Sequence, residues 1–248
     1  MLKILSTLFI LTLVAYASPI QDKSSSTKTS LGIIVQIEGK AKLLPKESIK
    51  KHKAKVGEAL YSGDKLISYK NAKIILKLSD TSNIILNESS EITMISDTSL
   101  EQNNGEIYYK IKKRTKSRGL KVKTPFSIIG IKGTEFIVNT DNDGQIALNE
   151  GLVAIESLRA DFELHKKKIM DEFEAYKLKQ DKAFAKYKNP NGEEVISYVK
   201  TFDLEASHVL NFGDASHCDI ECESYVTDDM FDEDIELLFS EYQKMLEK

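Results

Sequence analysis

The chain has 248 residues, 41% of them apolar and 29% charged, with a formal net charge of -3. These are the values of a soluble globular protein of one or two domains with a sizeable core.

Residues 1–17, MLKILSTLFILTLVAYA, carry Lys3, then an apolar stretch broken only by Ser6, Thr7 and Thr12, and close on Ala15-Tyr16-Ala17 before Ser18-Pro19. This reads as a secretory signal peptide cleaved after Ala17. About sixteen moderately apolar residues fall short of the roughly twenty that a membrane span needs. No cysteine follows the stretch, so no lipid anchor is indicated there. The mature protein is expected outside the cytoplasm, without a transmembrane span. Residues 18–30 include QDKSSSTKTS, which has no apolar side chain and reads as a flexible leader.

From Leu31 to Glu156 the chain is a succession of short strands, rich in Val, Ile and Tyr, with turn signals roughly every ten residues. LGIIVQIEG turns at Gly39, and KAKVGEALYSGDKLISY turns at Gly57 and at Ser62-Gly63-Asp64. Period two places Ile74, Leu76 and Leu78 on one face of AKIILKLSD and Ile75 and Lys77 on the other. In EFIVNT it places Phe136 and Val138 opposite Ile137, which makes Phe136 and Val138 the expected core positions. Asp141-Asn142-Asp143-Gly144 looks like a fragment of a calcium loop, lacks the rest of the ligand series, and reads as a hairpin turn.

After Ser157 the character changes. Leu158, Phe162, His165, Ile169, Phe173, Tyr176, Gln180, Phe184 and Tyr187 recur at steps of three and four, which predicts a long amphipathic helix over 157–191, stopped by Asn189-Pro190-Asn191-Gly192. It either lies along the β-domain or pairs as a short coiled coil, with self-association through 157–188. Residues 192–248 are expected to form an acidic, mixed and helical region. EEVISYVKTFDLEASHVLNF settles on neither period, whereas Phe231, Ile235, Leu238, Tyr242 and Met245 share one helical face. The acids from Asp232 to Glu236 complement the amino end of that final helix.

VKTPFSIIGIKGTEFIV, Val122 to Val138, interrupts strand sequence with a proline and two glycines. Pro125 reads as the break between two strands. Gly130 and Gly133 read as a tight bend where a side chain would collide with a neighbouring strand. A phosphate loop needs glycines running into a helix, and here Gly133 runs into a strand with no Gly-Lys-Ser/Thr.

The order of these features resembles the FecR domain family of periplasmic β-rich domains. The match runs over about residues 32–155: Gly57, then Gly63-Asp64 and Ser68, then Thr124-Pro125, then Gly133-Thr134-Glu135-Phe136, and a closing Glu150-Gly151 turn. The resemblance implies a mainly β fold: a FecR-like antiparallel β-domain, sandwich or roll, at 31–156, followed by the α-helical C-terminal region. Its best-known members are inner-membrane regulators that relay a transporter signal to a cytoplasmic sigma factor through a short cytoplasmic segment. This chain begins instead with a signal peptide followed directly by the domain, so the resemblance implies a periplasmic or otherwise exported adaptor, ligand-sensing part or structural protein.

Chemistry is sparse. His52, His165, His208 and His217 are scattered and belong to no catalytic or metal motif, so no catalytic residue, metal ligand or cofactor is assigned. Cys218 and Cys222, in HCDIEC, are the only cysteines. In an exported chain they read as a disulfide; a metal site with His217 and a nearby acid, or free thiols, are the alternatives. Lysines cluster at 40–55 and 110–123. Export removes nucleic acid as a partner, leaving anionic lipid, acidic glycan or the chain's own acidic tail. The expected function is a non-enzymatic binding, sensing or adaptor module for an envelope protein or glycan. The alternatives are a self-assembling structural envelope protein and a metal- or thiol-dependent enzyme.

Overall fold

A computed structural model describes residues 29–113, 119–141, 144–158, 161–167, 194–213 and 225–247. The first ten strands are β1 (Gly32–Glu38), β2 (Ala41–Leu44), β3 (His52–Lys53), β4 (Ala59–Leu60), β5 (Lys65–Ser68), β6 (Lys73–Leu78), β7 (Asn83–Leu86), β8 (Glu91–Ser96), β9 (Ser99–Asn104) and β10 (Glu106–Lys110). There follow β11 (Leu120–Lys123), β12 (Ser127–Ile131), β13 (Glu135–Asn139), β14 (Gln145–Glu150), β15 (Val153–Ser157), β16 (Phe162–Lys167), β17 (Glu194–Val199), β18 (Thr201–Leu204), β19 (His208–Phe212) and β20 (Tyr225–Met230). One helix, α1 (Glu233–Leu246), ends the described part.

The strands form an eleven-stranded sheet, β17-β16-β20-β19-β14-β13-β10-β7-β6-β1-β4, and a nine-stranded sheet, β18-β15-β12-β11-β9-β8-β5-β2-β3. Neighbours are antiparallel except for β9 with β11 and β16 with β20. The expected all-β architecture with a C-terminal helix is therefore the observed one.

Alternation along each strand sends one set of side chains between the sheets. There Ile74, Leu76, Phe136 and Val138 of the larger sheet join Leu66, Ile92, Val122 and Ile155 of the smaller in one apolar core. Phe136 stacks on Tyr109 with ring centroids 4.7 Å apart. The Tyr109 hydroxyl donates to Gln102 Oε1 at 2.8 Å, and Gln102 Nε2 donates to the carbonyls of Gly105 and Val138, each at 2.9 Å, so these buried polar groups are satisfied.

The other face of the larger sheet is apolar as well. Ile75, Ile85, Tyr108, Ile137, Ala147 and Val209 form a second core with Ile235, Phe239 and Tyr242 of α1. The layers are thus small sheet, large sheet, helix. Asp232 caps the helix, its Oδ1 accepting the Ile235 N–H at 2.9 Å. Burying anchors of this size contributes roughly 2 kcal/mol each, against about 0–1 kcal/mol for an exposed ion pair. The first-turn acids Glu233, Asp234 and Glu236 are exposed. The helix of the acidic tail therefore docks by apolar packing, while residues 114–118 of the basic stretch and 214–224 of the tail lie outside the described residues.

Several expectations are revised. The sheets do not stop near 156: β18 adds to β15, and β19 adds to β14. The segment expected to be helical over 157–191 enters as a strand, β16, paired with β17 and β20, while 168–193 lie outside the described residues. Phe162 and Leu164 satisfy period two and are both buried, and tertiary pairing decides between two periods that so short a segment fits equally. The coiled coil is corrected: among the described residues α1 is the one helix, and it packs on a sheet. The disulfide is likewise not found among the described residues; Cys218 and Cys222 lie outside them.

Candidate functional site

The motif region closes one end of the larger sheet. β10 ends at Lys110 and β14 at Glu150, while β7 begins at Asn83 and β13 at Glu135; together with the connections around 111–113 and 132–134 these ends line a cleft of about 410 Å³. Four lysines, Lys110, Lys112, Lys113 and Lys132, stand around it against the two carboxylates Glu135 and Glu150.

Gly133 shapes the wall. Its φ is +116°, and a Cβ there would lie 2.6 Å from Lys113 Cα, so the two connections run backbone against backbone. Ile111 and Thr134 clamp them by exchanging N–H···O bonds of 2.9 and 3.1 Å. Gly151 approaches Thr134 just as closely, a Cβ there falling 2.7 Å from Thr134 Cγ2. Gly133, Thr134, Glu150 and Gly151 are thus brought together. Thr134 is 4% exposed, and its Oγ1 has no hydrogen-bond partner among the described residues. Gly130 differs from expectation: it lies within β12, and a Cβ there would make ordinary 3.7 Å contacts with Ala154.

Glu135 sits behind this wall. A register shift between Glu135 and Phe136 in the β13·β14 ladder places Glu135 opposite Glu150 and Phe136 opposite Leu148. The Glu135 carboxylate is 4% exposed; its Oε1 accepts from the Tyr108 hydroxyl at 2.8 Å and from Gln243 Nε2 of α1 at 2.6 Å, and its Oε2 pairs with Lys110 Nζ at 3.4 Å. A buried charge is tolerated when it is paired in this way. The Tyr242 hydroxyl makes the corresponding bond to Glu106. Burial, reinforced by the bond to Glu135, holds the Tyr108 hydroxyl far above the ordinary tyrosine range; burial and the Glu106 carboxylate do the same to Tyr242.

The remaining motif residues serve other places. Gly57 donates its N–H to the Ile34 carbonyl at 2.8 Å. Gly63 lies in a turn where Asp64 accepts from the backbone N–H of Lys46 (3.1 Å) and Tyr61 (2.9 Å). Thr124 Oγ1 accepts from Ser127 N–H at 2.9 Å across exposed Pro125, holding the β11–β12 turn. Phe136 is core. Of the two residues that join the cleft to the helix, Glu135 figures in the sequence reading only as the variable position between Thr134 and Phe136, and Gln243 does not figure there. The signal available was a carboxylate on the same face as Ile137, in a strand apolar on both sides.

No group of three or more His, Cys, Asp and Glu side chains is placed to hold a metal ion among the described residues. No described helix is long and apolar enough to cross a membrane.

A two-sheet antiparallel sandwich carrying the Gly-Thr and Glu-Gly turns at one sheet end defines a β-rich, FecR-like domain protein. The family model described as FecR protein matches residues 64–154, and the chain carries a FecR domain. Comparison with curated protein sequences finds no match. Two crystal structures of a protein from Parabacteroides distasonis, described as a candidate anti-sigma factor, align with TM-scores of 0.43 and 0.44 at 9% identity, covering 68% of this chain. The chain spans 60% of the length of each.

Proposed function

We propose that the protein is an exported, non-enzymatic binding module that senses or recruits an envelope protein or glycan through the cleft at the Gly133-Thr134 turn. The observation that carries this reading is the convergence of Gly133, Thr134 and Glu150 on one concave, lysine-lined site, with Gly151 packed against Thr134. Concave sites with few, converging polar groups are where partners bind. The FecR-domain match supports the class.

The test is photocrosslinking in intact cells from position 112, in the cleft, with position 121, an exposed position of β11 away from the cleft, as the control. Capture of an envelope protein or glycan from 112 and not from 121 supports the reading; equal capture from both positions, or none, overturns it. A self-assembling structural role is favoured by a different feature. The outer edge of β1 is hydrogen-bonded to β4 and to Gly57 and Glu58 before it only as far as Ile34, and Val35 is exposed where that pairing stops. Capture of copies of the chain alone would turn attention there.

A further inference from the structure

We propose that the lysine-rimmed cleft binds a negatively charged sugar, one bearing a phosphate or carboxylate group. The inference rests on the binding-module reading above and names the chemistry of its ligand.

Charge is the first ground. Lys110 is the cleft lysine with an ion-pair partner, Glu135, and among the described residues Lys112, Lys113 and Lys132 have none. These three exposed ammonium groups surround one concavity. Like charges held around a concave, low-dielectric wall repel one another and focus a positive potential into it. An anion entering the cleft relieves that repulsion.

Size and the polar rim narrow the class. A cleft of about 410 Å³ lies in the range of small-molecule sites and exceeds what one phosphate group fills. Thr81 and Asn83 put a hydroxyl and an amide on the rim, and exposed Glu150 adds a carboxylate. A carboxylate is out of place in a site for a bare anion, but it accepts hydrogen bonds from sugar hydroxyls. At the back of the site Thr134 has a buried hydroxyl with its hydrogen-bonding capacity unspent among the described residues. The backbone clamp at Gly133 fixes the wall in advance, which reduces the ordering that binding must impose.

Calorimetric titration of the full chain with glucose 6-phosphate, glucuronic acid, glucose and inorganic phosphate tests this. Expected are saturable binding of at least one of the two charged sugars, none of glucose, and weaker binding of inorganic phosphate. The double variant Lys112→Gln/Lys132→Gln, both at exposed positions, should bind the charged sugar about tenfold more weakly at unchanged melting temperature. Amide chemical shifts of Gly133 and Thr134 should move with the charged sugar in the parent chain. No saturable binding of either charged sugar, full affinity in the double variant, or phosphate binding as tight as glucose 6-phosphate would overturn the inference. The crosslinking test fails independently: capture of an envelope protein at position 112 together with a null titration removes the sugar and leaves the binding module standing.

Discussion

Gln243 of α1 donates from Nε2 to Glu135 Oε1 at 2.6 Å, and the other oxygen of that carboxylate lies 3.4 Å from Lys110 Nζ at the cleft. One buried side chain therefore faces the final helix and the cleft at once. Replacing it, Glu135→Ala, leaves the Tyr108 hydroxyl and the Gln243 amide without their acceptor beneath the helix. The expected cost is about 2–4 kcal/mol in urea unfolding, with faster amide exchange in α1. A variant as stable as the parent, with unchanged exchange in α1, would show that the carboxylate does not hold the helix.

Truncation after Asp232 removes α1 and uncovers Tyr108, Ile85 and Ile137, each at most 2% exposed in the full chain. Loss of Ile235, Phe239 and Tyr242 from that face should lower stability by about 4 kcal/mol or more and create binding sites for a hydrophobic dye. Because the docking is apolar, the parent's unfolding midpoint should change little between low and high salt beyond what the truncated chain shows. A large salt effect specific to the parent would restore the charge-contact explanation.

Two glycines with similar backbones should respond differently to alanine. Gly57 (φ +83°) and Gly133 (φ +116°) both have a positive φ, which residues with a Cβ rarely adopt, but a Cβ at Gly57 meets nothing within 4 Å, whereas at Gly133 it lies 2.6 Å from a backbone atom. Gly57→Ala should cost only the conformational penalty of about 1 kcal/mol. Gly133→Ala must also part the two connections, and should cost about 3 kcal/mol and weaken whatever the cleft binds. Equal melting temperatures for the two variants would contradict the close approach.

The two-sheet plan was legible because period two is a strong local signal: Ile74, Leu76, Phe136 and Val138 point into the sandwich as the alternation requires. The helix on the outer face was legible in part. Its apolar stripe was read, but its target was not, although the runs IIL, IIL, IYY and FIV in β6, β7, β10 and β13 are apolar on both faces and call for a third layer. At 162–167 the apolar residues fit both periods, and pairing with β17 and β20, which lie more than twenty-five residues further along the chain, supplies the deciding energy. The cleft was legible only as separate motifs. Gly133 and Gly151 meet because β13 and β14 pair with a bulge, and that register is a property of the sheet.

Val138, wholly buried between the sheets, tests the assignment of faces. Val138→Asp places an unpaired carboxylate in the apolar core and should cost about 3 kcal/mol or more, read as a fall in the urea midpoint or as insolubility. A soluble variant with the parent's midpoint would place the residue on the wrong face.

Alkaline pH should separate the tyrosines. Burial holds the hydroxyls of Tyr108, Tyr109 and Tyr242 above the ordinary value of 10.0, the carboxylates of Glu135 and Glu106 adding to it at Tyr108 and Tyr242. In the unfolded chain the three titrate at the ordinary value. Below that pH both states are protonated and the stability is fully present. Above it the unfolded chain releases protons that the folded chain retains, so stability falls by about 1.4 kcal/mol per pH unit for each of the three groups. Tyrosinate absorbance of the folded protein should therefore rise for the accessible tyrosines first, and the signal of these three should appear only with loss of the sandwich's circular dichroism. Ionisation of Tyr108, Tyr109 and Tyr242 together with the accessible tyrosines in one step near the ordinary value, with the sheets still intact, would mean that these hydroxyls are reached by water and that neither the core around Tyr109 nor the helix over Tyr108 is closed.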